Sequence, residues 1–593
     1  MLRTLLTGAI LASFAAACTP KEEAKAPTPA TTESAAPEAT QTEATQAEAT
    51  PEPAAFNMPG LPETTGDINA ADLHKRIEII ASDTFKGRAP GTPSGEASAE
   101  WIAKDMAQIG LKPAVNGSWF QTVKMVATEV DLDNSYFKIK TGEEEPRELA
   151  PGKDVVFWTK RQVEAPTDFT DSDLVFVGYG IVAPEYEWND YKGLDVEGKT
   201  VVMLINDPGF ATKDDALFKG NAMTYYGRWT YKFEEAARQG ATAAIIIHDT
   251  APAAYGWNVV SGSWMGEQAD LVREGDGMDR VPMEGWVSLD EAKSLFSAAD
   301  LDFDALSTAA HTPGFTAVPM TGLTASGKIT QTVRRADSRN VAGMIEGTTH
   351  PDEYVIYVAH WDHLGEKMNF ATEDHIHNGA VDNATGSAML LEIAEKFASE
   401  PPPERSVLFL SVTLEESGLL GSAYFAENPF VPLNKIVAGI NMDGMQPIGK
   451  AKNMVVVGSG ASQLEDRLKT LLATQDRIAT PDPQPQNGYF YRSDHISLAK
   501  KGVPMLYADG GEDLREGGRE AGLAALADYT ANRYHKPADE YDASWDLSGF
   551  VEDGEIFYEL GAEIADSTDW PTWYDGNEFK AIRDASLASD NDG

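Results

Sequence analysis

One cysteine, Cys18, stands among 593 residues. An intrachain disulfide is therefore impossible, and a zinc cluster held by thiolates is excluded. Positive charge is scarce as well: 48 Lys and Arg face 93 Asp and Glu, a formal net charge of −45. Phosphate backbones would be repelled, which excludes a nucleic-acid partner. The same charge disfavours docking of the protein surface on an anionic membrane. After the first residues no run of about 20 apolar residues occurs, so no bilayer-spanning helix is predicted. Internal repeats are missing apart from loose Glu-Ala-Thr repeats near the N-terminus. The 42% hydrophobic and 9% aromatic content is that of a folded chain. Its length is too great for one compact core and predicts two or more domains.

The position of the lone cysteine is informative. Residues 1–17 read as a signal peptide: Arg3 supplies positive charge, residues 5–12 are apolar, and Ala15-Ala16-Ala17 precede Cys18. A small-residue run ending in Cys resembles the lipobox of bacterial lipoproteins, with Ala15 where that motif usually has Leu. The resemblance implies that Cys18 carries diacylglycerol and becomes the new N-terminus, anchoring the protein in the bacterial cell envelope. Thr19, not Asp, follows the cysteine, which implies the outer membrane, facing periplasm or exterior. The alternative is an ordinary signal peptide cleaved nearby. Residues 19–60 are rich in Ala, Thr, Glu and Pro with no periodic apolar face, a composition expected of a disordered tether.

Order is expected from about Asp67. Leu73, Ile77, Ile79 and Ile80, then Trp101, Ile102, Met106 and Ile109, fall at helical spacing around a Gly/Pro loop, residues 85–92. Residues 130–325 have a different texture: short β-like runs, a helix near 231–239 and a buried strand near 243–247, without a dense His/Asp/Glu pattern. The insert's aromatics, among them Trp229, Tyr231, Trp257 and Trp264, can line a cleft or fill its own core. From Ser338 strands alternate with helices. That predicts an α/β fold: a mixed, largely parallel sheet sandwiched by helices. The expected division is 1–18 leader, 19–60 tether, 61–129 and 326–575 the two parts of one domain, 130–325 an insert, and 576–593 a tail.

The chemistry-bearing residues fall just after predicted strands, where α/β sheets bind ligands. His360 and Asp362 follow the strand at 354–359. Asp382 sits in Asn378-Gly379-Ala380-Val381-Asp382-Asn383-Ala384-Thr385-Gly386. Glu415 and Glu416 follow the strand at 406–413, and Asp443 ends Asn441-Met442-Asp443. Far downstream lies His535, in Tyr534-His535-Lys536-Pro537-Ala538-Asp539. Imidazole and carboxylate are ligands for catalytic zinc. His360, Asp382, Glu416, Asp443 and His535 could hold two ions with one carboxylate between them. Glu415 is left over beside a ligand, where a general base is needed.

These segments, with Glu415-Glu416-Ser417-Gly418-Leu419-Leu420-Gly421-Ser422, resemble the di-zinc aminopeptidases. That family also contains glutamate carboxypeptidase and the transferrin receptor. The similarity covers residues 65–130 and 330–570, and the loop at 85–92 resembles the family's opening segment. Residues 130–325 resemble the β-rich protease-associated domain inserted in many members.

The resemblance implies two Zn²⁺, peptide substrates and a set of roles. His360 and Asp443 hold one zinc, Glu416 and His535 the other, and Asp382 bridges them. Asp362 orients His360 through its far ring nitrogen. Glu415 is the base, and Tyr534 stabilises the oxyanion. The Asp382-Asn383 peptide bond is expected to be cis. Asp494, in Tyr491-Arg492-Ser493-Asp494-His495, resembles a substrate-side loop; the alternative is a capping Asp in a turn. The spacing from His360 to Asp382 is longer than in minimal aminopeptidases, and the extra loop carries His375 and His377, two further candidate ligands. The expected activity is release of N-terminal residues. The rivals are a carboxypeptidase, dipeptidase or glutaminyl cyclase on the same fold, or a non-catalytic binding protein. Intact Glu415 and a full ligand set count against the last two.

Overall fold

The computed structural model describes residues 56–367 and 373–588. The leader, the expected lipidation site Cys18 and the tether up to Ala55 lie outside the described residues. Two sheets organise the rest. The larger has ten strands. Its centre is parallel: Arg405–Val412, His350–His360, Ile436–Asn441 and Met505–Gly510 lie side by side. Antiparallel strands flank this centre: Gln331–Ile345, Phe120–Val130 and Gln268–Leu271 on one side, and Asn453–Val456, followed by Ile478–Pro481, on the other.

The central strands read as continuous apolar runs because both faces are covered. Alternate residues go to different cores: Val355, Tyr357 and Ala359 to one, Ile356 and Val358 to the other. The first core lies under helices Ala70–Ile80, Pro93–Ile109, Thr385–Ser399, Leu464–Thr474 and Ser548–Ala565. Their ends follow local chemistry. Asn69 accepts the Asp72 N–H at the start of Ala70–Ile80. Thr92 caps Pro93–Ile109, which has proline in its first turn and closes on Gly110 at φ 105°.

The second sheet has eight strands, from residues 136–329. Thr167–Phe176, Thr200–Leu204, Ala243–Ile247 and Met283–Val287 run parallel at its centre. Ile245 and Ile247 face one insert core, and Ala244 and Ile246 face the other. The insert is stitched into the body: Gln268–Leu271 leaves it to pair with Phe120–Val130 of the larger sheet. Tyr231 is buried in one of the insert's cores, and half-buried Trp229, Trp257 and Trp264 pack against the other. The Trp264 ring stacks on Trp158 with centroids 4.1 Å apart.

None of the described helices is long and apolar enough to cross a membrane.

Candidate metal centre

The ends of the central parallel strands deliver the site. His360 is the last residue of His350–His360. Glu415 and Glu416 follow Arg405–Val412 after Leu414, whose φ of 58° turns the chain. Asp443 follows Ile436–Asn441. Asp382 lies in an irregular turn, Ala380–Ala384, that opens helix Thr385–Ser399, and its bond to Asn383 is cis. Gly379 must be glycine: a Cβ there would lie 2.1 Å from the Asp382 carbonyl oxygen and 2.5 Å from the His363 ring. His535, at φ 56°, follows helix Gly518–Asn532.

The two oxygens of Asp382 face different imidazoles. Oδ1 lies 3.4 Å from His360 Nε2, and Oδ2 lies 3.2 Å from His535 Nε2. His360 Nε2 is also 3.1 Å from Asp443 Oδ1, and His535 Nε2 is 3.1 Å from Glu416 Oε2. Two sets have donor atoms within 4.8 Å of one another: His360, Glu415 and Asp443, and His363, Asp382 and Glu416. Mixed nitrogen and carboxylate donors at this spacing fit zinc. The electrostatics agree. Burial alone would lower the His535 imidazole, but Glu416 and Asp382 lift it to about 10. Burial pushes the Glu415 carboxyl well above the usual range; His360 opposes this, and Asp443 and Glu416 add to it.

Neighbouring groups fix these side chains. Asn383 Nδ2 donates to the Met442 carbonyl (3.0 Å), and Asn383 Oδ1 accepts the Gly444 N–H (3.2 Å), tying the Asp382 turn to the Asp443 loop. Ser493 Oγ donates to Asp443 Oδ2 (2.5 Å) and accepts from Asn441 Nδ2 (2.8 Å). Asp362 meets the far ring nitrogen of His360 chiefly through its backbone. The far nitrogen of His360 is 3.2 Å from the Asp362 backbone carbonyl and 3.9 Å from its carboxylate. That carboxylate instead accepts the Glu415 N–H at 3.1 Å. Asp362 therefore braces the candidate base as well as the histidine.

Tyr534 is 41% exposed, and its ring stacks on His535 with centroids 4.0 Å apart. Asp494 is only 1% exposed. It lies beneath the site, where burial raises its carboxyl to about 7; a residue that met substrate would be open to the cleft. The histidine that sequence reasoning missed is His363, whose Nδ1 sits 2.5 Å from Glu416 Oε1. Its only signal is adjacency to Asp362. His377 is buried and, like His375, belongs to neither donor group among the described residues.

The insert borders this centre. Arg492 Nη2 donates to the Ala253 carbonyl (3.3 Å), and its guanidinium lies over Tyr255. Arg228 of the insert faces Arg492, Tyr255, Tyr225 and Tyr534; burial, then the neighbouring arginine, pull it down to about 9. Neither arginine is in an ion pair with a carboxylate among the described residues.

Imidazoles and carboxylates converging at the ends of parallel strands define a metal-dependent hydrolase centre. Residues 340–556, which carry all of the donors above, match the model of peptidase family M28. Over 112 residues the chain is 39% identical to Aminopeptidase NAALADL1 of Mus musculus, a match covering 18% of this chain and 13% of the relative. Over 257 residues it is 25% identical to a probable zinc metalloprotease of Pyricularia oryzae, covering 40% of this chain and 45% of the relative. The chain thus spans less than half the length of either relative. Among solved structures, an aminopeptidase from Aneurinibacillus sp. strain AM-1 superposes with a TM-score of 0.49 at 17% identity, covering 84% of this chain and 94% of that one. For the zinc aminopeptidase BSAP of Bacillus subtilis the TM-score is 0.39 at 17% identity, covering 80% and 98%.

Proposed function

We propose that this chain is an exopeptidase with a two-zinc centre that releases residues from the N-terminus of peptides. The observation that carries the reading is Asp382, with one carboxylate oxygen toward His360 and the other toward His535. His360 and Asp443 would hold one ion and Glu416 and His535 the other, with Asp382 shared between the two sites. Zinc bound there supplies Lewis acidity toward the scissile carbonyl and acidifies water. The remaining work belongs to the chain. Glu415, braced by its N–H on Asp362, takes the proton of the attacking water and returns it to the leaving amine. Tyr534 donates its hydroxyl to the developing oxyanion. His363 holds one oxygen of Glu416, leaving the other toward His535.

The unpaired Arg228 and Arg492 beside Tyr534 favour a second reading. They offer a place for a free carboxylate, which supports a carboxypeptidase or dipeptidase. A panel of aminoacyl-nitroanilides set against N-blocked peptides with free C-termini separates the two. Turnover of the nitroanilides alone supports an aminopeptidase, and turnover of the blocked peptides alone overturns it.

The insert serves as a protease-associated domain limiting access to the site. The whole is anchored through Cys18 to the outer membrane. Fatty-acid labelling lost in Cys18→Ser supports the anchor, and equal labelling of both proteins refutes it.

A further inference from the structure

Two buried groups of opposite charge grip the turn that presents Asp382 from opposite sides. Arg88, 1% exposed, comes from the segment preceding the insert. Its guanidinium donates to the carbonyls of Asn378 (2.5 Å) and Gly379 (2.9 Å), and to those of Trp361 (2.7 Å) and Ile80 (3.1 Å). Asp539, wholly buried, comes from the segment after His535. Its Oδ1 accepts the Val381 N–H (3.0 Å), and its Oδ2 accepts the Asp382 N–H (3.1 Å) and the Tyr529 hydroxyl (3.2 Å).

The cation thus sits on the carbonyl side of residues 378–379 and the anion on the N–H side of residues 381–382. Among the described residues the two form no direct ion pair; each is satisfied by backbone dipoles of the turn between them. Buried charges held this way fix backbone geometry because neither can leave without exposing an uncompensated charge. Arg88 also holds the Trp361 carbonyl, between His360 and Asp362, so the same side chain links the loops carrying both imidazole-facing oxygens of Asp382 and the His360 ring.

We infer that Arg88 and Asp539 are paired positioning residues, whose function is to hold the Asp382 carboxylate between the two ion sites. The inference rests on the two-zinc reading above. It makes the N-terminal part of the peptidase body, which supplies no ligand, part of the metal centre.

The test is zinc titration of chelator-stripped protein against a competing metal indicator, with melting of the same metal-free samples. The variants are Asp539→Asn, Tyr529→Phe and Arg88→Lys. Asp539→Asn swaps one acceptor for a donor facing an N–H, and Arg88→Lys keeps the charge but loses the fork. Wild type is expected to take up two ions. Asp539→Asn is expected to lose about 10–100-fold in zinc affinity while its metal-free form melts close to wild type. Arg88→Lys should do the same, and Tyr529→Phe should fall between it and wild type. Unchanged zinc affinity in Asp539→Asn overturns the clamp and leaves the two-zinc reading standing. So does a loss seen only as a lower melting temperature of the metal-free protein. A wild type that binds a single ion overturns both.

Discussion

At the residue scale the site depends on neighbouring carboxylates doing different work. Glu415 and Glu416 are adjacent, yet the chain turn at Leu414 sends them to different donor groups. Glu416 faces His535 and His363, whereas the Glu415 backbone is held by Asp362. Glu415→Gln is expected to cut kcat by at least about 10²-fold with zinc content unchanged. Steady-state kinetics with metal analysis of the same sample check this; activity near wild type would reassign the base. That His360, Asp382, Glu416, Asp443 and His535 come together was legible because His360, Glu416 and Asp443 end or follow strands, and Asp382 and His535 each stand in a short motif of their own. Those of Arg88, Asp539, His363 and Ser493 were not. Their partners are main-chain atoms or side chains from 8 to 291 residues away, and no local spacing encodes such a contact.

At the element scale, helices were read from periodicity and strands from apolar runs. Both readings worked where a stretch or a face is buried, as at the end of His350–His360 and along Leu73, Ile77 and Ile80 of Ala70–Ile80. The antiparallel edges were harder. Gln331–Ile345 is a long strand, but only its second half is apolar enough to stand out, since residues 332–337 are exposed or only half-buried. The return of Gln268–Leu271 to the larger sheet carries no sequence signal, because four residues at an edge need no distinctive pattern.

Helix caps belong to the same scale and can be tested by pH. Asp72 accepts from Lys75, Asn69 and Thr65. Burial would raise its carboxyl, but these partners prevail and hold it at about 2. A carboxyl lowered in the folded state stabilises above its unfolded value, near 3.8, and the gain is lost as pH falls through about 2. Asp72→Asn is therefore expected to cost about 2 kcal/mol at pH 7. The difference should shrink between pH 4 and pH 2, as denaturant melts at each pH would show. A constant difference across that range would remove the electrostatic account of the cap.

At the scale of the whole molecule, the insert and the peptidase body form a single frame. They share the pairing of Gln268–Leu271 with Phe120–Val130, and the insert's Arg228 meets the body's Arg492 and Tyr534. The sequence left the insert's aromatics as cleft lining or as filling of its own core; the tryptophans pack within the insert, and the basic pair lies nearer the site. If the pair reads a substrate carboxylate, Arg228→Ala should lower kcat/KM for short peptides with a free C-terminus by about tenfold or more, equivalent to about 1.4 kcal/mol or more. Amidated peptides should be unaffected. Equal losses on both would mean that Arg228 supports structure only.

The measurement that bears most directly on the account is the zinc content of the saturated, dialysed protein. Asp382 faces one imidazole with each oxygen, and a carboxylate so placed is expected to join two ions. Metal analysis should find two zinc ions per chain, falling to one or none in Asp382→Ala. One zinc ion per chain in the saturated wild type, unchanged by that substitution, would contradict the account.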